Sequence, residues 1–275
     1  MRYFIKTADN ARILVEDLNS DSDKTILFIH GWPLNHNAFE YQFNFFGERG
    51  YRCIGIDLRG FGESDRPFNC YDYDTMASDI RKIIDVLDLK NITLVGHSMG
   101  GALSIKYISK YDSHKVSKLC LIGAAAPSWV KTKDYPYGFT EEEVNEFIKE
   151  SLNDRPSFIR SKVTNLFFYK NTSIEMLNWF NNISLSASPW GTFKCLISLK
   201  DERLFNDINK IKIPTLILHG VHDVICPYEF GKYLHENIEN SKLIPLSEAG
   251  HGSFIEEKDK VNKSLLNFIE NNVTM

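Results

Sequence analysis

The stretch from Asn91 to Gly101 constrains this chain more than any other. Ile92 to Val95 is a short apolar run with the β-branched character of a buried strand. The turn Gly96-His97-Ser98-Met99-Gly100 follows, and then Leu103, Ile105, Tyr107 and Ile108 mark a helix. A strand that passes straight into a helix leaves almost no room at the corner. Gly-x-Ser-x-Gly answers that problem, because Gly96 and Gly100 carry no Cβ and the serine hydroxyl is held out in front of the sheet. The pattern predicts a positive φ at Ser98, a conformation costing about 1 kcal/mol or more and kept only when the surroundings impose it.

The rest of the chain supplies the sheet this corner needs. Tyr3–Lys6 and Arg12–Asp17 flank Asp9-Asn10 as a hairpin. Thr25–Ile29 is a continuous apolar run of the kind buried on both faces of a parallel sheet, and it ends in His30-Gly31-Trp32-Pro33. An aromatic helix over Ala38–Glu48, a strand over Tyr51–Ile56 and a helix over Asp74–Leu87 come next. Beyond the Ser98 corner a sixth strand runs through Lys118–Gly123. From Pro127 to Phe205 the spacing is helical only, with a capping box at Thr140-Glu141-Glu142-Glu143 and helices over Phe158–Phe168, Ile174–Ile183 and Thr192–Leu199. Alternation resumes with a strand at Pro214–Leu218, a helix at Pro227–Asn237, a strand at Lys242–Leu246 and a last helix from Phe254 to Asn271. The expected class is α/β: a mostly parallel, eight-stranded sheet with helices on both faces. Its core comprises residues 1–126 and 206–275, and a helical cap, 127–205, is inserted after the sixth strand at the edge where open α/β sheets bind ligands.

A serine becomes a useful nucleophile only when a base takes its proton and a third group orients that base. Of the eight histidines, His30, His97 and His219 sit beside glycines at strand ends and read as packing or turn residues. His36, His114 and His235 lie on helical or surface stretches and read as unremarkable. His251, between Gly250 and Gly252 in the loop after the last strand, is the base this reading selects. For the acid, Asp223 follows the seventh strand, whereas Asp57 in Asp57-Leu58-Arg59-Gly60 reads as a loop-shaping carboxylate. Glu248 and Glu256 read as solvated neighbours of the histidine. Acyl transfer also needs donors for a developing oxyanion. The Met99 N–H, at a helix N-terminus, is one. The other is the N–H of Trp32, since Pro33 has none.

Ser98, Asp223 and His251 in that order, together with His30-Gly31-Trp32-Pro33-Leu34, Asp57-Leu58-Arg59-Gly60-Phe61-Gly62-Glu63-Ser64, Tyr71-Asp72-Tyr73-Asp74-Thr75-Met76-Ala77 and Gly96-His97-Ser98-Met99-Gly100-Gly101, resemble the α/β-hydrolase-fold serine hydrolases along essentially the whole chain. More narrowly, the chain resembles the branch of cofactor-free haloperoxidases, arylesterases and perhydrolases. The resemblance implies a carboxylester hydrolase working through an acyl-enzyme, with hydrogen peroxide able to replace water at deacylation, and with no haem, metal or flavin. A carbon–carbon bond hydrolase of the same fold and a non-catalytic ligand-binding relative remain as alternatives. His219-Gly220-Val221-His222 lacks the glutamate of a zinc motif.

Composition narrows the partners. A formal charge of −4 offers no basic stripe for nucleic acid or an acidic membrane. No apolar stretch approaches the roughly 18 residues that span a bilayer. The five scattered cysteines, none in a Cys-x-x-Cys pair, point to reduced thiols and a cytoplasmic location. The cap is rich in aromatics (Tyr135, Tyr137, Phe139, Phe147, Phe158, Phe167, Phe168, Trp179, Phe180, Trp190, Phe193), which argues for an apolar pocket taking small uncharged esters. Assembly as a homo-oligomer is left open by these patterns.

Overall fold

A computed structural model describes residues 1–271. Eight strands form one sheet: β1 (Arg2–Lys6), β2 (Arg12–Leu18), β3 (Thr25–Ile29), β4 (Arg52–Ile56), β5 (Ile92–His97), β6 (Val116–Ile122), β7 (Thr215–Gly220) and β8 (Ser241–Leu246). Their order is β1-β2-β4-β3-β5-β6-β7-β8. The β1–β2 hairpin and the β2–β4 pair are antiparallel, and every later pair is parallel. The continuous apolar runs become the central strands, with every residue of β3, β5 and β7 buried. Side chains alternate across the sheet, so Leu27 and Ile29 join a core on one face while Ile26 and Phe28 join a core on the other.

Helices α1 (Glu40–Gly47), α2 (Tyr73–Val86) and α3 (Met99–Tyr111) cover the first half of the sheet. Met76, Ile80 and Ile83 of α2 and Leu103 and Ile105 of α3 fill the first core, and Phe46 of α1 fills the second. The aromatic helix begins later than expected, because Asn35 caps a 3-10 turn over His36–Phe39 before α1 opens.

Between β6 and β7 lies a helical insertion: α4 (Glu141–Asn153), α5 (Arg155–Phe158), α6 (Asn165–Phe167), α7 (Ile174–Leu185) and α8 (Pro189–Asp201). The capping box forms, with the Thr140 side chain accepting from the Glu143 N–H and Glu143 accepting from the Thr140 N–H. Two features differ from the helical periodicity of this segment. The chain enters it through two isolated bridges, Val130 with Phe139 and Thr132 with Tyr135. Residues Ile159–Thr164, between α5 and α6, wind as a π-helix, a wider turn that a 3.6-residue pattern does not reveal.

After α9 (Phe205–Ile208) the alternation resumes through α10 (Tyr228–Asn237). The expected single C-terminal helix is two, α11 (Ser253–Glu256) and α12 (Lys258–Glu270), broken at Glu257. Val261 and Leu265 of α12 close the second core. Among the described residues no helix is long and apolar enough to cross a membrane, and all five cysteines are unpaired.

Candidate active site

Parallel strands deliver their carboxyl ends to one edge. In the sheet order, β4 leads to Asp57, β3 to His30 and Gly31, β5 to Ser98, β7 to Asp223 and β8 to His251. Ser98 has φ 54° and ψ −121°, the positive φ its turn predicts. Its surroundings impose that geometry. The Ser98 N–H donates to Ile122 O, and its carbonyl accepts from Gly101, Ala102 and Ala125. A Cβ on Gly96 would lie 2.4 Å from Gly100 O, and one on Gly100 would lie 2.2 Å from Ile29 O. Only glycine fits where β5, β3 and α3 meet.

Asp223 and His251 are joined. His251 Nδ1 donates to Asp223 Oδ2 over 2.7 Å, with both side chains essentially buried. The other oxygen, Oδ1, accepts from the N–H groups of Ile225 (2.9 Å) and Cys226 (2.8 Å), which fixes the carboxylate. In a neutral ring this tautomer leaves Nε2 of His251 as the basic nitrogen. Ser98 and His251 both line one cavity. Among the described residues the hydrogen bond of the His251 ring is the one to Asp223, not one to Ser98 Oγ; such contacts tighten on substrate binding in many enzymes.

Beneath this pair lies His97, fully buried and held well below the usual histidine pKa by burial and by the neighbouring His251. Its Nε2 donates to His251 O (3.1 Å), and its ring packs edge-on against Phe254 and Phe167. His30 and His219 are also buried beside the strand ends, as the glycine-flanked positions suggest. His30 Nδ1 donates to Gly31 O and its Nε2 accepts from Leu58 N. His219 Nε2 donates to Cys226 O. The N–H groups of Trp32 and Met99 donate to no protein acceptor among the described residues. The Trp32 indole instead reaches Thr192 O in α8 (3.0 Å), tying the loop after β3 to the insertion.

Comparison with known proteins decides the family. The sequence profile described as alpha/beta hydrolase fold matches residues 24–258. The chain belongs to the α/β-hydrolase family. This α/β hydrolase is 45% identical over 268 residues to the AB hydrolase superfamily protein YisY of Bacillus subtilis, covering 98% of this chain and 99% of that one. It is 36% identical to a putative non-heme chloroperoxidase of Synechocystis, with 94% and 95% covered. An esterase structure from Exiguobacterium antarcticum superposes with a TM-score of 0.96 at 44% identity, covering 98% of this chain and all of the other. It is thus an enzyme of the α/β-hydrolase family with esterase and haloperoxidase relatives.

Within this α/β hydrolase, two residues depart from their sequence reading. His36 is not a bland surface residue. It is buried, and its Nδ1 donates to Asp57 Oδ1 over 2.6 Å. Asp57 also accepts from the N–H groups of His36 and Glu63, so it shapes its loop, as its motif suggests. Burial pushes the Asp57 carboxyl up, and the hydrogen bonds and charge of His36 together with the nearby His30 outweigh it, leaving the net value lowered. Glu256 is not simply solvated. Its Oε1 accepts from Tyr169 N (2.8 Å) and Lys170 N (2.9 Å), and its Oε2 accepts from Gly250 N (2.7 Å). No sequence signal marks it, because all three partners are backbone groups and two are more than 80 residues away.

The cavity lining is apolar. Phe139, Phe147, Phe158 and Phe167 of the insertion face it, joined by Trp129, which composition alone does not single out. Other insertion aromatics pack elsewhere: Tyr135 against Phe205, Phe230 and Tyr233, and Phe180 against Phe167 and Phe168. Lys162, from the π-helical turn, is the single formally charged side chain among the lining residues.

Proposed function

We propose that this chain is a serine carboxylesterase acting on small uncharged aryl and alkyl esters, with Ser98 as nucleophile, His251 as general base and Asp223 as its orienting acid. The observation that carries the reading is the Asp223–His251 hydrogen bond beside a cavity that also holds Ser98. His251 Nε2 takes the Ser98 proton as Oγ attacks the ester carbonyl. The same proton passes to the departing alcohol as the acyl-enzyme forms. Water, activated by His251, then releases the acid. The N–H groups of Met99 and Trp32 serve the oxyanion, each worth about 3 kcal/mol of transition-state stabilisation. Their lack of other protein acceptors favours that role. The segment 127–205 acts as a cap whose aromatics select apolar acyl or aryl groups. Hydrogen peroxide can take the place of water at deacylation, giving a peracid, a reading that rests on the haloperoxidase relatives. The five unpaired cysteines suit a reducing compartment, the cytoplasm.

The test is hydrolysis and perhydrolysis of one acetate ester, with fluorophosphonate labelling, in wild type and Ser98→Ala. The expected result is labelling and turnover in wild type and a loss on the order of a millionfold in the variant. A Ser98→Ala protein that keeps its turnover, or a wild type that stays unlabelled, overturns the assignment.

A further inference from the structure

The loop carrying His251 is held at every backbone position around that residue. Gly250 N donates to Glu256 Oε2 (2.7 Å), His251 O accepts from His97 Nε2 (3.1 Å), and Gly252 N donates to Phe167 O (2.6 Å). Two of these three ties lead to the insertion, one directly and one by way of Glu256. Phe167 ends α6, and residues just beyond it, Tyr169 and Lys170, donate their N–H groups to Glu256 Oε1. One carboxylate therefore spans the gap between the insertion and the loop, accepting from both sides. Around it the two parts also touch through side chains. The Phe167 ring meets the His251 ring edge-on with centroids 5.3 Å apart, and Tyr169 stacks on His222, next to Asp223, at 3.6 Å.

We propose that Glu256 is a positioning residue for His251, fixing the register of the base against the insertion; this rests on the assignment of Ser98 and His251 made above. A carboxylate suits the task because it is acceptor-only, with lone pairs on both oxygens, and it meets three N–H donors. The ring of His251 must stay directed at both Asp223 and the Ser98 hydroxyl, and its backbone is set by the ties at 250, 251 and 252. Removing Glu256 frees the Gly250 side of the loop and parts it from Tyr169 and Lys170, so the imidazole loses its aim while the cavity walls that bind the ester remain. Glutamine reproduces only half of the clamp. Its carbonyl can serve one side, and its –NH2 then confronts an N–H donor on the other.

The experiment measures kcat and KM for p-nitrophenyl acetate in wild type, Glu256→Ala, Glu256→Gln and Glu248→Gln, with active enzyme counted by fluorophosphonate endpoint titration. Amide hydrogen exchange at Gly250 is followed in parallel. Glu248, in the loop after β8, makes an exposed ion pair with the Lys170 side chain (2.9 Å). The expected result is a kcat about a hundredfold lower in Glu256→Ala, the scale of a misplacement of about 1 Å, with KM within about twofold. Glu256→Gln is expected to lose about tenfold, Glu248→Gln is expected to match wild type, and Gly250 exchange is expected to quicken only in the Glu256 variants. If Glu256→Ala does not fold, the glutamine variant carries the test. Unchanged kcat per active site, even with a lower melting temperature, makes Glu256 merely structural and overturns the proposal. A fall in kcat without faster Gly250 exchange overturns it too. Ser98→Ala separates the two readings: if that variant stays active, the site assignment itself has failed.

Discussion

His97 Nε2 donates to the backbone carbonyl of His251 across 3.1 Å, joining the residue before Ser98 to a loop 154 positions away. Among the described residues the same ring leaves Nδ1 buried without a partner. A Cβ on Gly31 would come within 2.7 Å of both that nitrogen and Ser98 Cβ, so the ends of β3 and β5 crowd together at this point. In His97→Phe the ring packing against Phe254 survives and the unpaired nitrogen is removed, but the carbonyl loses its donor. Because an unmade buried hydrogen bond costs about 1–3 kcal/mol, and removal of the orphan nitrogen offsets part of it, the melting temperature should move little. The kcat for p-nitrophenyl acetate should fall by about tenfold as the loop loosens. Thermal melts and steady-state kinetics on one preparation check both.

Asp223→Asn should preserve the fold and disable the enzyme. The amide that replaces the carboxylate can keep accepting from Ile225 and Cys226 through its oxygen, which turns its –NH2 toward His251 Nδ1. That donor forces the opposite tautomer, with the proton on Nε2 where the base must be free. A kcat about 10⁴-fold lower is expected, from the same tautomer argument in triad enzymes, with circular dichroism unchanged.

Stability should fall as the pH drops through the usual histidine range. Burial depresses His30 to about 4, and His97 and His219 are lowered for the same first reason. Their unfolded forms take up a proton near the usual value of about 6.5. The folded state refuses that proton, so stability is complete above pH ~6.5, declines as pH drops below it, and for His30 is lost in full below its folded value. For His30 alone the loss is about 3 kcal/mol. The structural cause is plain: Nε2 accepts from Leu58 N and has no room for a proton. Melting temperatures measured from pH 8 to pH 4.5 should fall steadily, and His30→Gln should flatten the slope.

Arg59 should be among the costliest single losses. Its guanidinium is buried and bonds Asp79 through Nε (2.7 Å) and Nη2 (2.8 Å), and Asp9 through Nη1 (2.8 Å) and Nη2 (3.1 Å). Arg59→Met strands the Asp79 carboxylate, which burial already pushes up. A destabilisation of about 3–5 kcal/mol is expected. Arg59→Met with Asp79→Leu should recover a large part of it, because no uncompensated charge then remains. Chemical denaturation of the single and double variants checks this.

What could be read from the chain follows from the range of each interaction. Strands β3 and β5 are legible because continuous apolar runs are local, and Ser98 because its corner lies within a five-residue turn. The pairing of Asp223 with His251 could be expected from their places after strands, since a parallel sheet delivers every such loop to one edge. Glu256 could not, nor could the pairing of His36 with Asp57, since each depends on partners that only the folded chain brings near. The wider turn at Ile159–Thr164 escaped for another reason. It sits inside a helical pattern, and its extra residue per turn leaves the apolar spacing almost unchanged.

In the proposed ester hydrolysis, the nearly unbroken hydrocarbon wall around Ser98 treats the two sides of the cleavage unequally. A neutral ester is welcome there, whereas the acid released from it ionises at neutral pH, and an unpaired carboxylate in such surroundings costs several kcal/mol. On that reading the wall that admits a neutral ester disfavours its acid fragment, a bias that the one ammonium along the lining, Lys162, offsets only in part. Inhibition by accumulated product should therefore come from the phenol or alcohol, which keeps its affinity for aromatic rings, and hardly at all from the acid.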